Sequence, residues 1–174
     1  HWRQALKDVR ALKLDRWCEM SLHRTELAEK LERSIRVAGL GSTEAQVNDM
    51  LTRVVSILDP TGPLRSLYIS LRPDAIGTML ADVARHNGPE LAQIISHIET
   101  DLSNFWVEQS DANKSPEMSV TIWRLQRSRP YLKSKAMGFG LERILYDLNP
   151  SLPCQSPILL PYHITNASDA LKTL

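Results

Sequence analysis

Residues 86–106 read HNGPELAQIISHIETDLSNFW. Gly88 suits a left-handed helix cap, because a residue without Cβ enters positive φ freely, and Pro89 suits the first turn of a following helix. After this stop and restart, Leu91, Ile94, Ile95, Ile98, Leu102, Phe105 and Trp106 recur at helical spacing. They form the strongest apolar stripe of the chain and predict one amphipathic helix. Upstream, Ile76, Met79, Leu80 and Val83 give the preceding helix a buried face of its own, with Pro73 in its first turn. Two such helices joined by so short a turn form an antiparallel pair, and the pair points to an all-α bundle.

The same reading extends toward the N-terminus. No Gly precedes Gly39 and no Pro precedes Pro60, so residues 1–40 are expected to form a long helix or two helices with a kink. Trp2, Leu6, Val9 and Leu12 make one stripe, and Leu27, Leu31 and Ile35 another. The phase fails in LKLDRWCEM (12–20), which places the bend near residues 14–16. Gly39 or Gly41 then ends the unit at positive φ. Thr43 and Gln46 fit a capping box for a helix carried by Val47, Met50, Leu51, Val54, Val55 and Leu58. DPTGP (59–63) stops it. LRSLYISL (64–71) matches both strand alternation and a short helix. With no second strand to pair it, a short helix or extended packed segment is the expectation.

Toward the C-terminus, EQSDANKSP (108–116) is a polar loop in which Ser115 caps a helix opened by Pro116. Met118, Ile122 and Leu125 carry that helix, and Pro130 is expected to break it. A second helix then runs to about Leu148 on Met137, Leu141, Ile144, Leu145 and Leu148. Gly138 and Gly140 fall inside it at roughly 1 kcal/mol each, which suggests a close helix crossing. The segment 149–168 has four prolines and no helical period. It is expected to be an irregular strap packed through Leu152, Ile158, Leu159 and Leu160, with a short helix over 169–174 after an Asn166 or Ser168 cap. The expected organisation is a single helical domain over 1–174. It has an N-terminal unit (1–40), a helical core (41–148) and a proline-rich strap (149–174), with six or seven helices in all. Lacking an initiator Met, the sequence reads as a piece of a longer polypeptide.

Apolar residues at 43% against 24% charged supply enough burial to offset chain entropy, so disorder is excluded as a whole-chain description. No apolar run approaches the roughly 20 residues of a membrane span, and HWRQALKDVR (1–10) has no secretory core. Cys18 and Cys154, far apart, suit a reducing cytoplasm without a disulfide framework. The net charge of +1 hides a division: +3 over 1–40, −6 over 41–123, +4 over 124–147 and 0 over 148–174. Basic ends around an acidic middle suit self-association or a partner of mixed charge.

Motifs for chemistry are missing. His23, His86, His97, His163 and the two cysteines stand at no metal-ligand spacing, so the histidines read as surface or capping residues. MGFGLER (137–143) has G-x-G without a third Gly or a preceding strand. Cys154 and His163 share a loop with no orienting acid, and Glu99 and Asp101 point to different helix faces. No catalytic residue, metal or cofactor is expected. Asn166 of the NAS triplet reads as a cap rather than as a glycosylation acceptor.

One patch remains. WRLQRSRPYLKSK (123–135) holds Arg124, Arg127, Arg129, Lys133 and Lys135 around Tyr131, with no acid. Trp123 stands beside Ile122 and is expected in the core. Pro130 would split the charges between two helices, leaving a corner rather than a stripe. Such a corner suits an acidic protein surface better than a nucleic-acid strand, whose binders are usually clearly basic. The sequence thus points to a non-enzymatic protein–protein interaction or scaffold domain of a larger cytosolic protein. The alternative is a nucleic-acid or anionic-surface binder using the same patch. A third class, a helical enzyme, would be marked by a buried cluster of His, Glu and Arg between helices.

Overall fold

Side chains start two of the main helices. Thr43 and Gln46 close the capping box, with Thr43 Oγ1 accepting from the Gln46 amide and Gln46 Oε1 accepting from the Thr43 amide. Ser115 Oγ accepts from the Met118 amide ahead of Pro116. The computed structural model describes residues 1–11, 13–38, 43–84, 86, 88–136 and 138–173. Its elements in order are α1 (Trp2–Arg10), α2 (Lys13–Met20), α3 (Thr25–Ala38), α4 (Glu44–Leu58), β1 (Leu64–Arg65) and β2 (Ser70–Leu71). There follow α5 (Ile76–Val83), α6 (Pro89–Glu99), α7 (Leu102–Glu108), α8 (Pro116–Lys133), α9 (Leu141–Leu148) and α10 (Ala167–Thr173). The all-α class holds, with more and shorter helices than the six or seven expected.

Three apolar clusters form the core. Val9, Cys18, Leu31, Ile35, Met50, Leu51 and Val54 join α1–α4. Ile76, Leu80, Leu91, Ile94, Ile98, Leu125 and Ile144 join α5, α6, α8 and α9. Between the long elements, Leu64, Leu102, Trp106, Met118 and Ile122 make a third cluster. Trp106 is 0% exposed, and its indole Nε1 donates to the Gly62 carbonyl at 2.6 Å. Asn113 is buried beside it, its amide donating to the carbonyls of Pro60 and Trp106. The 60–63 loop is therefore held by hydrogen bonds from two side chains far along the chain.

Several expectations are corrected. The N-terminal unit does not bend at residues 14–16. It divides before Lys13 and again at residues 21–24, where His23 is left-handed at φ 52°. LRSLYISL supplies both strands of a hairpin, Leu64 opposite Leu71 and Arg65 opposite Ser70, with the Ser66 amide bonded to the Ile69 carbonyl. The missing partner strand was inside the same segment. Gly88 is extended (φ −89°, ψ 172°), not left-handed, and serves as N-cap of α6. α5 has already ended by Ala84, so no cap is needed four residues later. The long stripe is two helices. Arg129 takes the Ile98 and Thr100 carbonyls, which a continuous helix would have given to residues 102 and 104.

Pro130 does not break α8, which runs through it to Lys133. Pro130 and Gln126 are both exposed, so water can take the carbonyl that the missing N–H leaves free. The break comes later, between Lys133 and Leu141, and Gly138 (φ 78°) and Gly140 (φ 84°) lie in it rather than in a helix. The close crossing belongs to Gly77 instead. A Cβ there would stand 3.0 Å from Leu148, and the Asn149 side-chain Nδ2 donates to the Gly77 carbonyl at 2.8 Å. The strap packs through Leu152 and buried Ile164, while Ile158 and Leu160 are exposed. The last helix begins at Ala167, with Asn166 Oδ1 accepting from the Asp169 amide as its cap. Gly39, Gly41, Asn87 and Met137 lie outside the described residues.

Candidate functional site

Trp123 is not in the core. It is 56% exposed. Met118, Ile122, Leu125 and Ser128 are the buried positions of α8, and Trp123 lies about 100° round the helix from Ile122. Neighbours in sequence do not share a helix face, whereas residues four apart do. Arg127, four residues on, places its guanidinium 5.2 Å from the Trp123 ring centroid, a cation–π contact on solvent-exposed surface.

α9 completes a groove against this face. Arg143 and Asp147, one turn apart, pair at 3.1 Å. With Trp123, Arg124, Arg127 and Ser128 they line a space of about 190 Å³. Three guanidiniums and one carboxylate, itself engaged by Arg143, leave the groove positive. Arg143 also stands 5.8 Å from the Tyr131 ring centroid, and Tyr131 meets Phe139 edge-on at 5.5 Å. Tyr131 thus supports Arg143 from within the helix pair. Lys133 and Lys135 are exposed and line none of the groove.

Arg129 leaves the patch. Its three hydrogen bonds go to Ile98 O, Thr100 O and Asp101 Oδ1, at the C-terminal end of α6 where the helix dipole favours a cation. We expect Arg129→Ala to destabilise the fold by about 2 kcal/mol, in line with loss of charge-assisted bonds. Urea denaturation checks this, and an unchanged midpoint would remove its structural role.

A second polar cluster lies under α4 and α6, where no sequence spacing pointed. His97 is buried, 3% exposed, contrary to the reading of the histidines as surface or capping groups. Its Nε2 stands 2.6 Å from Ser66 Oγ, which stands 3.1 Å from Thr52 Oγ1, which stands 2.8 Å from the Asn48 carbonyl oxygen. Burial pushes the imidazole down to about 4, so it is neutral at physiological pH. With the Thr52 proton on Asn48, Ser66 donates to Thr52 and His97 Nε2–H donates to Ser66; with it on Ser66, the chain runs the other way and Nε2 accepts. Beside the pair lies a space of only about 10 Å³, room for one water-sized group.

No family model, curated protein or solved structure matches the chain. Among the described residues, no group of three or more His, Cys, Asp or Glu side chains could hold a metal ion. No hydrogen bond joins Cys154 to His163 among them; the Cys154 amide bonds instead to the Ile164 carbonyl. No helix among the described residues is long and apolar enough to cross a membrane.

Of the six residues expected in the patch, the structure brings Arg124 and Arg127 into the groove, puts Tyr131 behind it and turns Arg129 inward. Among its aromatic and cationic members, Trp123 and Arg143 are the two that sequence reasoning missed. The spacing of Trp123 and Arg127 carried the first signal. The second had none, because Arg143 reaches the groove only through the α8–α9 packing.

Proposed function

We propose that the chain is a non-enzymatic interaction module whose α8–α9 groove takes an acidic segment of a protein partner. The exposed Trp123–Arg127 stack beside Arg124 and Arg143 carries this reading. Trp and Arg are the residue types that most often anchor protein interfaces, and guanidiniums pair carboxylates bidentately. The acidic stretch 41–123 of another copy is one such surface, so self-association belongs to the same reading. Two free thiols, one buried and one partly buried, support placing the module in a reducing cytosol.

An exposed Trp beside arginines also supports the runner-up, a single-stranded nucleic acid stacked on the indole. The near-zero net charge and the withdrawal of Arg129 favour the protein partner. The test sets a labelled Glu/Asp-rich peptide against an oligothymidylate at low salt. We expect the peptide to bind, Trp123→Ala to weaken it roughly tenfold or more, and Arg124→Glu with Arg127→Glu to abolish it. Lys133→Glu with Lys135→Glu should change it little. Oligothymidylate binding lost with the same groove variants would replace the reading with the runner-up, and indifference of both ligands to those variants would remove the groove from function.

A further inference from the structure

The outer face of α8 extends beyond the groove. Val120 is 49% exposed and lies three residues before Trp123, itself 56% exposed, and four before Arg124. Residues three and four apart are neighbours on a helix surface. Val120 and Trp123 therefore form one apolar patch, and Arg124 and Arg127 continue the same face by a turn. Val120 itself lines none of the groove. One turn before Val120 stands the exposed carboxylate of Glu117. Along the axis the face thus runs acid, apolar, basic: Glu117, then Val120 with Trp123, then Arg124 and Arg127, where α9 adds Arg143. The series spans about 15 Å of helix.

Each part sets a condition on what covers it. Three guanidiniums against Asp147 leave the groove two positive charges, which acidic side chains answer. Those charges lie at the Arg124–Arg127 end alone. At the other end Glu117 repels an acid, and the Val120 methyls give a carboxylate no donor in place of water. An apolar side chain suits that end, because it removes the exposed surface of Val120 and the indole from water. Val120 and Arg127 are about 10 Å apart along the axis, a distance an extended chain crosses in about three residues.

We propose, resting on the acidic-segment reading above, that the partner segment carries an apolar anchor residue at one end of its acid run. The anchor sits on Val120 and Trp123. The acids, about three residues away at 3.3 Å per residue, meet Arg124, Arg127 and Arg143.

The test is fluorescence anisotropy at low salt with labelled peptides of equal length, each holding a short run of glutamates in a Gly/Ser background. One peptide has Leu shortly before the run, one has it shortly after, and one has Ser in its place. The two Leu peptides cover both chain directions. One of them should bind about tenfold tighter than the Leu-free peptide, as expected for burying a leucine side chain. Val120→Ala, a change at an exposed helix position, should remove several-fold of that gain and leave the Leu-free peptide unchanged. Glutamates added on the far side of the Leu should bring no further gain. Equal binding of all three peptides, a Leu advantage undiminished by Val120→Ala, or tighter binding with acids on both sides would overturn the proposal while leaving the acidic-segment reading in place. Binding of none of the peptides would remove both.

Discussion

Replacing Trp106 with Ala is expected to destabilise the protein by about 4 kcal/mol, the range for emptying a fully buried aromatic site. The indole fills the cluster of Leu64, Leu102, Met118 and Ile122, and Arg72 stands 5.3 Å from its ring centroid. Its Nε1–H satisfies the Gly62 carbonyl, so the substitution opens a cavity and also orphans an acceptor. Against a usual total of 5–15 kcal/mol, that is a large share. Urea denaturation followed by circular dichroism measures it. Trp106→Phe should cost clearly less, since it keeps most of the packing and loses the hydrogen bond. A cost below about 1 kcal/mol for the Ala variant would show that the third cluster does not hold the 60–63 loop to α7.

Stability should fall as pH drops from about 6.5 toward 4, and His97 is the cause. Its folded-state value of about 4 lies below the ordinary 6.5, through burial. Across that window the unfolded chain binds a proton at His97 that the folded chain refuses. Stability therefore rises with pH there and is fully present above about 6.5. The shift corresponds to roughly 3 kcal/mol at the acid end of the window. Protonation would also place a cation beside the Ser66 and Thr52 hydroxyls. Asp49 lines the same cavity and is engaged by Arg53. Denaturant midpoints of the wild type and His97→Gln, measured at several pH values, isolate the effect. Parallel pH profiles of the two proteins would show that His97 titrates as freely folded as unfolded.

The helix starts were legible because caps act within four residues. Thr43, Ser115 and Asn166 each bond an amide three positions on, and each stands in the expected role. The stripes of α4 and α6 were legible for the same reason, since one helical turn is enough to define a face. Misreadings arose where a local signal admitted two outcomes. Pro130 both permits and discourages helix, and only its exposure near the end of α8 decided which. Trp123 sat beside apolar Ile122 in sequence, yet one position is a rotation of about 100°, enough to carry the ring from core to solvent.

By itself the sequence determined the all-α class, the main capping points, the proline-rich irregular C-terminal segment and the absence of any recognised local catalytic motif. These depend on periodicity and on contacts within a turn. Only the tertiary structure decided which cations serve the fold and which face outward. Arg129 and Arg127 are two residues apart on one helix, but Arg129 finds the end of α6 and Arg127 finds Trp123. It also assembled the polar site, where Ser66 and His97 meet from 31 positions apart. A side chain's role follows from the groups it touches, and in a packed helical protein those groups come from other elements, at separations that no sequence period encodes.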